Sequence, residues 1–259
     1  MRKLSRKEIQ ALCEVYRNAG SLREVGRKFS RSQNTVRKYV SKFYKIKTKN
    51  IVTNIKTNNE LLIGLYVGLW LGDGTQYFDR RSYVVKICSN KNDKLLNKVI
   101  YNLIYDLFGK KAYLIEEKNT NRAYIRFHSK FIFRYIFNYV QFKENKTYSV
   151  KLKGGLNSYS DTFLKGCLLG LALSDGSLKE RFVFGVTSKG LALNMKAMLL
   201  KFQFSPYVRI QNRPNKATFY TVTLSPKESR YLQEFLSAII HSIGYDYSFY
   251  ELKYGPGRI

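Results

Sequence analysis

Acidic residues, histidine, cysteine and proline are all scarce in this chain of 259 residues, and each scarcity closes off a class of protein. The two histidines, His128 and His241, are too few and too far apart for a zinc site of the usual spacing. The three cysteines, Cys13, Cys88 and Cys167, are odd in number and contain no CxxC pair, which excludes a disulfide-stapled scaffold and predicts reduced core thiols. With only 4 prolines, 44% hydrophobic and 15% aromatic residues, the chain can bury a core and is not a disordered one. Long apolar runs are missing too. The one membrane-like stretch, Leu61 to Leu71, falls well short of the roughly 20 residues needed to span a bilayer. The opening MRKLSRKEIQ lacks the apolar stretch of a signal peptide, and no membrane partner is expected. The deficit of acid matters most: 18 Asp and Glu face 46 Lys and Arg, a net charge of +28 spread along the whole length. Such a field calls for a polyanion; nucleic acid is the first choice, and a membrane surface or a ribosome would meet the same charge.

Residues 1–43 read as three short helices. Ser5, Ser21 and Ser32 stand where N-caps belong. Apolar residues follow at helical spacing: Ile9, Leu12, Val15 and Tyr16; then Leu22, Val25 and Phe29; then Val36, Tyr39 and Val40. Residues 1–50 hold 15 Lys and Arg against 3 acids. The run AGSLREVGRKFSRSQNTVRKYV resembles the helix-turn-helix of resolvase-type DNA-binding modules, with Gly26 where two helices must approach. The resemblance implies that the third helix enters the major groove and offers Gln33, Asn34, Arg37 and Lys38 to bases and phosphates. A basic three-helix bundle packed on a main domain is the alternative. Residues 44–59 are polar and basic without apolar period, and read as a linker.

From residue 60 the chain repeats itself. LLIGLYVGLWLGDGT opens one half and FLKGCLLGLALSDGS the other. Small residues fall every fourth position, at Gly64, Gly68 and Gly72 and at Gly166, Gly170 and Ser174, and each series ends in Asp-Gly, at Asp73 and Asp175, 102 residues apart. The apolar periods that follow predict αββαββα twice, over 60–153 and 160–254, within a domain spanning 60–259. Small residues at every fourth position share one helix face and let two backbones approach closely. The two repeats are therefore expected to cross through these faces, with Gly74 and Gly176 as left-handed caps behind the helices. Asp73 and Asp175 would then sit side by side, each at the negative end of a helix dipole. A divalent cation would remove both penalties, and hard oxygen ligands beside a phosphate-rich partner favour Mg²⁺.

LYVGLWLGDG (65–74) and LLGLALSDG (168–176) resemble the two LAGLIDADG motifs of single-chain homing endonucleases. The resemblance implies an α+β fold of two pseudo-symmetric αββαββα repeats forming a saddle-shaped sheet on DNA. It also implies Mg²⁺-dependent cutting of both strands with 3′ overhangs; Mn²⁺ is a possible substitute. The metal-binding acids fall on Asp73 and Asp175, and Gly72 and Ser174 beside them complete the candidate metal set. Leu71 and Leu173 stand where the family name has its first Asp, a position that does not bind the metal. Basic residues near the ends of the repeats, Lys143, Lys146 and Lys253, are candidates to assist at the cleavage centre or to make plain phosphate contacts. Strand alternation places Arg126 and His128 on one face, and Arg209, Gln211 and Arg213 with Thr221 and Thr223 on another, as the groove-reading residues. A monomer acting on a long, asymmetric double-stranded DNA site is expected. Its location is expected to be intracellular: cytoplasmic or nucleoid-associated, or organellar in a eukaryote. A non-catalytic transcription regulator and an intron RNA maturase share this scaffold; the presence of both acids argues against the first, and the helix-turn-helix favours DNA over intron RNA.

Overall fold

The computed structural model describes residues 4–19, 21–43, 55–212, 214 and 216–255, and the chain divides into two compact units near residue 51. Most of the stretch read as a linker, and Arg213, lie outside the described residues.

In the smaller unit, α1 (Arg6–Ala19), α2 (Leu22–Lys28) and α3 (Gln33–Val40) enclose a core of Leu12, Cys13, Val25, Val36 and Val40. Each helix starts on its expected serine. Ser5 Oγ accepts from the Glu8 backbone while the Ser5 backbone donates to Glu8 Oε2 at 2.7 Å, a reciprocal cap. Ser21 and Ser32 accept from the backbones of Glu24 and Thr35. Gly26 is needed for the turn: a Cβ there would lie 2.7 Å from the Arg31 carbonyl, and the Arg31 backbone donates back to the Gly26 carbonyl at 2.8 Å.

The larger unit is built in two rounds. The first runs α4 (Glu60–Asp73), β1 (Gly74–Asp79), β2 (Ser82–Asn90), α5 (Lys94–Phe108), β3 (Tyr113–Glu116), β4 (Arg122–His128) and α6 (Lys130–Tyr135). A connecting stretch follows, with β5 (Val140–Gln141), the one-turn α7 (Lys146–Ser149) and β6 (Lys151–Leu152). The second round runs α8 (Asp161–Ser174), β7 (Gly176–Ser177), β8 (Val183–Val186), α9 (Lys189–Lys201), β9 (Tyr207–Gln211), β10 (Phe219–Thr223) and α10 (Pro226–Ser242), and α11 (Phe249–Tyr254) ends it. Both rounds give αββαββα, and the two antiparallel sheets share one strand order, β1-β2-β4-β3 and β7-β8-β10-β9. The first round's last helix is shorter than its apolar period predicts. After Tyr135 it tightens into a 3₁₀ turn over Ile136–Asn138, in a run of aromatic and β-branched residues that favour an α-helix weakly.

The apolar run from Ile63 to Leu71 is buried on all sides in α4, and no described helix is long and apolar enough to cross a membrane. Helices α4 and α8 make the most extensive helix pair of the unit. Their glycines meet carbonyls of the opposite helix: a Cβ at Gly64 would lie 2.0 Å from Phe163 O, at Gly68 2.2 Å from Cys167 O, and at Gly166 2.1 Å from Leu61 O. No residue with a side chain fits there. The end of the stretch read as a linker already packs on this unit: Ile55 joins the core, and the Lys56 backbone donates to Leu107 O at 2.6 Å.

Candidate metal centre and sheet faces

The crossing of α4 and α8 brings their C-terminal ends together. A Cβ at Gly72 would lie 2.1 Å from Ser174 Oγ and 3.0 Å from Asp175 Oδ2. The glycines after the two aspartates are not left-handed caps, as the sequence had suggested. Gly74 is extended, with φ −76° and ψ 142°, and leads straight into β1, while Asp175 itself closes α8 and Gly176 opens β7. They are glycines for want of room: a Cβ would lie 2.5 Å from the Trp70 backbone at Gly74 and 2.5 Å from Ala172 O at Gly176.

Burial, and then the neighbouring charge of Asp175, push the Asp73 carboxyl up to about 6 against the pull of Lys253 and Lys146. Burial likewise raises Asp175, opposed by Lys146 and Lys253. Among the described residues neither carboxylate receives a hydrogen bond or an ion pair. The charge is balanced at longer range by two lysines that cap the motif helices. Lys146 Nζ donates to the carbonyls of Gly72 (3.1 Å) and Gly74 (2.5 Å). Lys253 Nζ donates to those of Leu173 (2.5 Å) and Ser174 (2.7 Å). Ammonium groups at the last carbonyls answer the negative ends of both helices. Burial lowers both lysines, Lys146 to about 8, against the pull of the two aspartates. Lys146 also lies over the Trp70 ring, 4.7 Å from its centroid, so Trp70 does more than fill the core. Lys143 is exposed, its backbone bonds Ser149 Oγ, and it does not line either of the cavities that hold the aspartates.

Two cavities flank the crossing. One, of about 440 Å³, is lined by Asp73, Leu173, Ser174 and Lys253, by Cys88, Asn90 and Asp93, and by Arg122 and Tyr124. The other, of about 240 Å³, is lined by Asp175, Leu71, Gly72 and Lys146, by Gly185, Thr187 and Ser188, and by Phe219. Each aspartate thus shares a cavity with the lysine that follows the other repeat's strands. No group of three or more Asp, Glu, His or Cys side chains gathers as a ready-made metal cage among the described residues. The donors present fit Mg²⁺ all the same. They are hard oxygens, two carboxylates without hydrogen bonds and the carbonyls of Gly72 and Ser174, and this ion takes one or two carboxylates and keeps its waters.

Strand register assigns the faces. Lys86 pairs with Arg126, Cys88 with Tyr124, and Arg126 in turn with Tyr113, so Lys86, Arg122, Tyr124, Arg126 and His128 share the face opposite the buried Ile125 and Phe127. Lys86 Nζ is held between the rings of Tyr77 (5.0 Å) and Tyr124 (4.8 Å). His128 Nδ1 meets Ser82 Oγ at 2.6 Å, and burial, then Arg126, lowers its pKa. On the second sheet Thr221 pairs with Arg209, Phe219 with Gln211 and Thr223 with Tyr207, so these residues lie opposite the buried Val222. In the smaller unit Gln33, Asn34, Arg37 and Lys38 are all exposed on α3. The sequence reading missed Lys86, Asn90, Arg122 and Tyr124. The parity that selected Arg126 and His128 selects Arg122 and Tyr124 as well.

No protein-family model and no curated protein sequence matches the chain. Solved structures do. A structure of mesophilic variants of the homing endonuclease I-DmoI aligns with a TM-score of 0.54 at 14% identity, over 70% of this chain and 97% of that one. I-DmoI in complex with DNA and Ca gives 0.54 at 15% over 70% and 91%, and its complex with DNA and Mn gives 0.52 at 16% over 69% and 97%. At these identities the likeness establishes the fold, and the chain shares the LAGLIDADG fold of I-DmoI over 70% of its length.

Proposed function

We propose that the chain is a site-specific DNA endonuclease that makes double-strand breaks with a divalent cation, Mg²⁺ or Mn²⁺ in its place, at the Asp73–Asp175 crossing. One observation carries the reading: two half-buried carboxylates without hydrogen bonds meet at the ends of paired helices, in a chain of net charge +28. The two sheets flanking that centre carry basic and hydroxyl side chains on the faces away from the core, as a surface for a duplex requires. I-DmoI, which shares the fold, is a homing endonuclease crystallised with DNA and with Ca or Mn.

Each residue then has a defined task. Asp73 and Asp175 supply oxygens to the cation from opposite repeats, with the carbonyls of Gly72 and Ser174 beside them. When bound, the cation polarises the phosphate, activates water and steadies the leaving oxygen. Lys146 and Lys253 keep the helix ends neutral enough to hold two acids together. Arg126, His128, Arg209, Gln211, Thr221 and Thr223 face the grooves, and the three-helix unit acts as a helix-turn-helix through Gln33, Asn34, Arg37 and Lys38. Both motifs reside in one chain whose halves differ in sequence, so a monomer on a long, asymmetric target follows, with staggered cuts leaving 3′ overhangs.

A cleavage selection on a random DNA library with Mg²⁺, run on the native chain and on Asp73→Asn and Asp175→Asn, tests the reading. Double-strand cuts at one long site, lost or reduced to nicks in either variant, support it. Specific DNA bound but never cut with Mg²⁺ or Mn²⁺ overturns it, and a transcription regulator or an intron RNA maturase takes its place.

A further inference from the structure

The two cavities beside the crossing are equivalent by fold, and strand register gives the correspondence residue by residue. Gly74 pairs with Ile87 and Gly176 with Phe184, so the next residues, Cys88 and Gly185, occupy one position. Cys88 pairs with Tyr124 and Gly185 with Thr221, so those two correspond. Two residues earlier on the same strands stand Arg122 and Phe219. Both line their cavities, Arg122 beside Asp73 and Phe219 beside Asp175. Each cavity holds one of the two aspartates and one of the two lysines; at the Arg122 and Phe219 position they differ. The Phe219 ring lies across Gly185, where a Cβ would come within 2.7 Å of it. The Asp175 cavity is left with about 240 Å³ against about 440 Å³ at Asp73. Arg122 is exposed, and its guanidinium makes no hydrogen bond or ion pair among the described residues.

A guanidinium presents a planar fork that fits two phosphate oxygens, and it stabilises the charge that grows on them during phosphodiester cleavage. A phenyl ring offers neither donor nor charge. We propose that Arg122 grips the phosphate cut at the Asp73 end, that among the described residues no arginine does so at the Asp175 end, and that the chain therefore cuts its two strands in fixed order. The inference rests on the endonuclease reading and adds to it an asymmetry of rate. At either end a water oxygen bonds to phosphorus as one ester P–O bond breaks. The water's proton leaves to solvent, and the departing oxygen takes one up. Only the first end has the arginine to stabilise that passage.

The test begins without metal. A duplex bound by the full chain is recovered from a random-sequence library in EDTA, end-labelled on each strand in turn, and probed by phosphate ethylation interference. One phosphate near the centre of one strand should interfere without a mate on the other strand, and Arg122→Ala should erase that signal. The same duplex in a closed-circular plasmid with Mg²⁺ should accumulate a nick on that strand first. Arg122→Ala should slow this nick by about 100-fold, the effect typical of removing one transition-state donor, and leave the other strand's rate near its native value. Interference equal on both strands, or unchanged in Arg122→Ala, overturns the asymmetry even if the plasmid is cut. Failure to recover any bound duplex overturns the endonuclease reading itself.

Discussion

The ammonium of Lys146 stands 4.7 Å from the centroid of the Trp70 ring while it donates to the carbonyls of Gly72 and Gly74. Trp70 is the single tryptophan of the chain, so its emission reports on the centre. A cation drawing on the Gly72 carbonyl competes with the ammonium and moves it relative to the ring. Titrating Mg²⁺ should change the emission saturably in the native chain and leave the Asp73→Asn/Asp175→Asn double variant flat. Equal responses from both proteins would place the cation elsewhere.

Asp73 makes stability depend on pH in a defined direction. Its carboxyl ionises near 3.8 in the unfolded chain and at about 6 in the fold, so the folded state holds the proton longer. Between those values stability falls as pH rises, and above about 6 the full penalty persists, about 3 kcal/mol at one pKa unit per 1.36 kcal/mol. Asp73→Asn should flatten the fall in stability between about pH 3.8 and about 6 and raise the melting temperature in EDTA at pH 7 to 8. Mg²⁺ should raise the native chain's melting temperature at the same pH, and cleavage should fade below about pH 6 as the proton displaces the cation.

Gly68→Ala sets a methyl 2.2 Å from Cys167 O in the α4–α8 crossing. The helices would have to part along the whole crossing, a loss of roughly 3 kcal/mol or more in line with overpacked cores. Thermal or urea unfolding reads it. Native-like stability would show that the crossing is looser than its glycines indicate.

Removing residues 1–50, nearly the whole smaller unit, should weaken binding to the selected site and steepen the protein concentration needed for cutting. The cleavage rate at saturating protein should stay the same, because a tethered second module adds affinity and no chemistry. Loss of cutting at saturation would show that the smaller unit takes part in the reaction.

The sequence determined what depends on neighbours along the chain. Helical and strand periods are local, so αββαββα could be read twice. The four-residue steps ending at Asp73 and Asp175 specified two helices that cross through glycine, and strand parity put Arg126 with His128 and Arg209 with Gln211. The tertiary structure decided what depends on residues far apart. Lys146 reaches Gly72 and Gly74 from over 70 positions away, and Lys253 reaches Leu173 and Ser174 from about 80. They sit on helices of 4 and 6 residues, too short to leave a period in the sequence, and nothing local distinguishes them from Lys143. Gly74 and Gly176 looked like turn formers, yet the constraint is the helix backbone behind them, visible only once the strand folds back on it. The mismatch of Arg122 and Phe219 belongs here too. Neither residue is unusual on its own strand, and the difference acquires a meaning only when two sheets with one strand order put both at the same register position, each lining the cavity of one of the two acids.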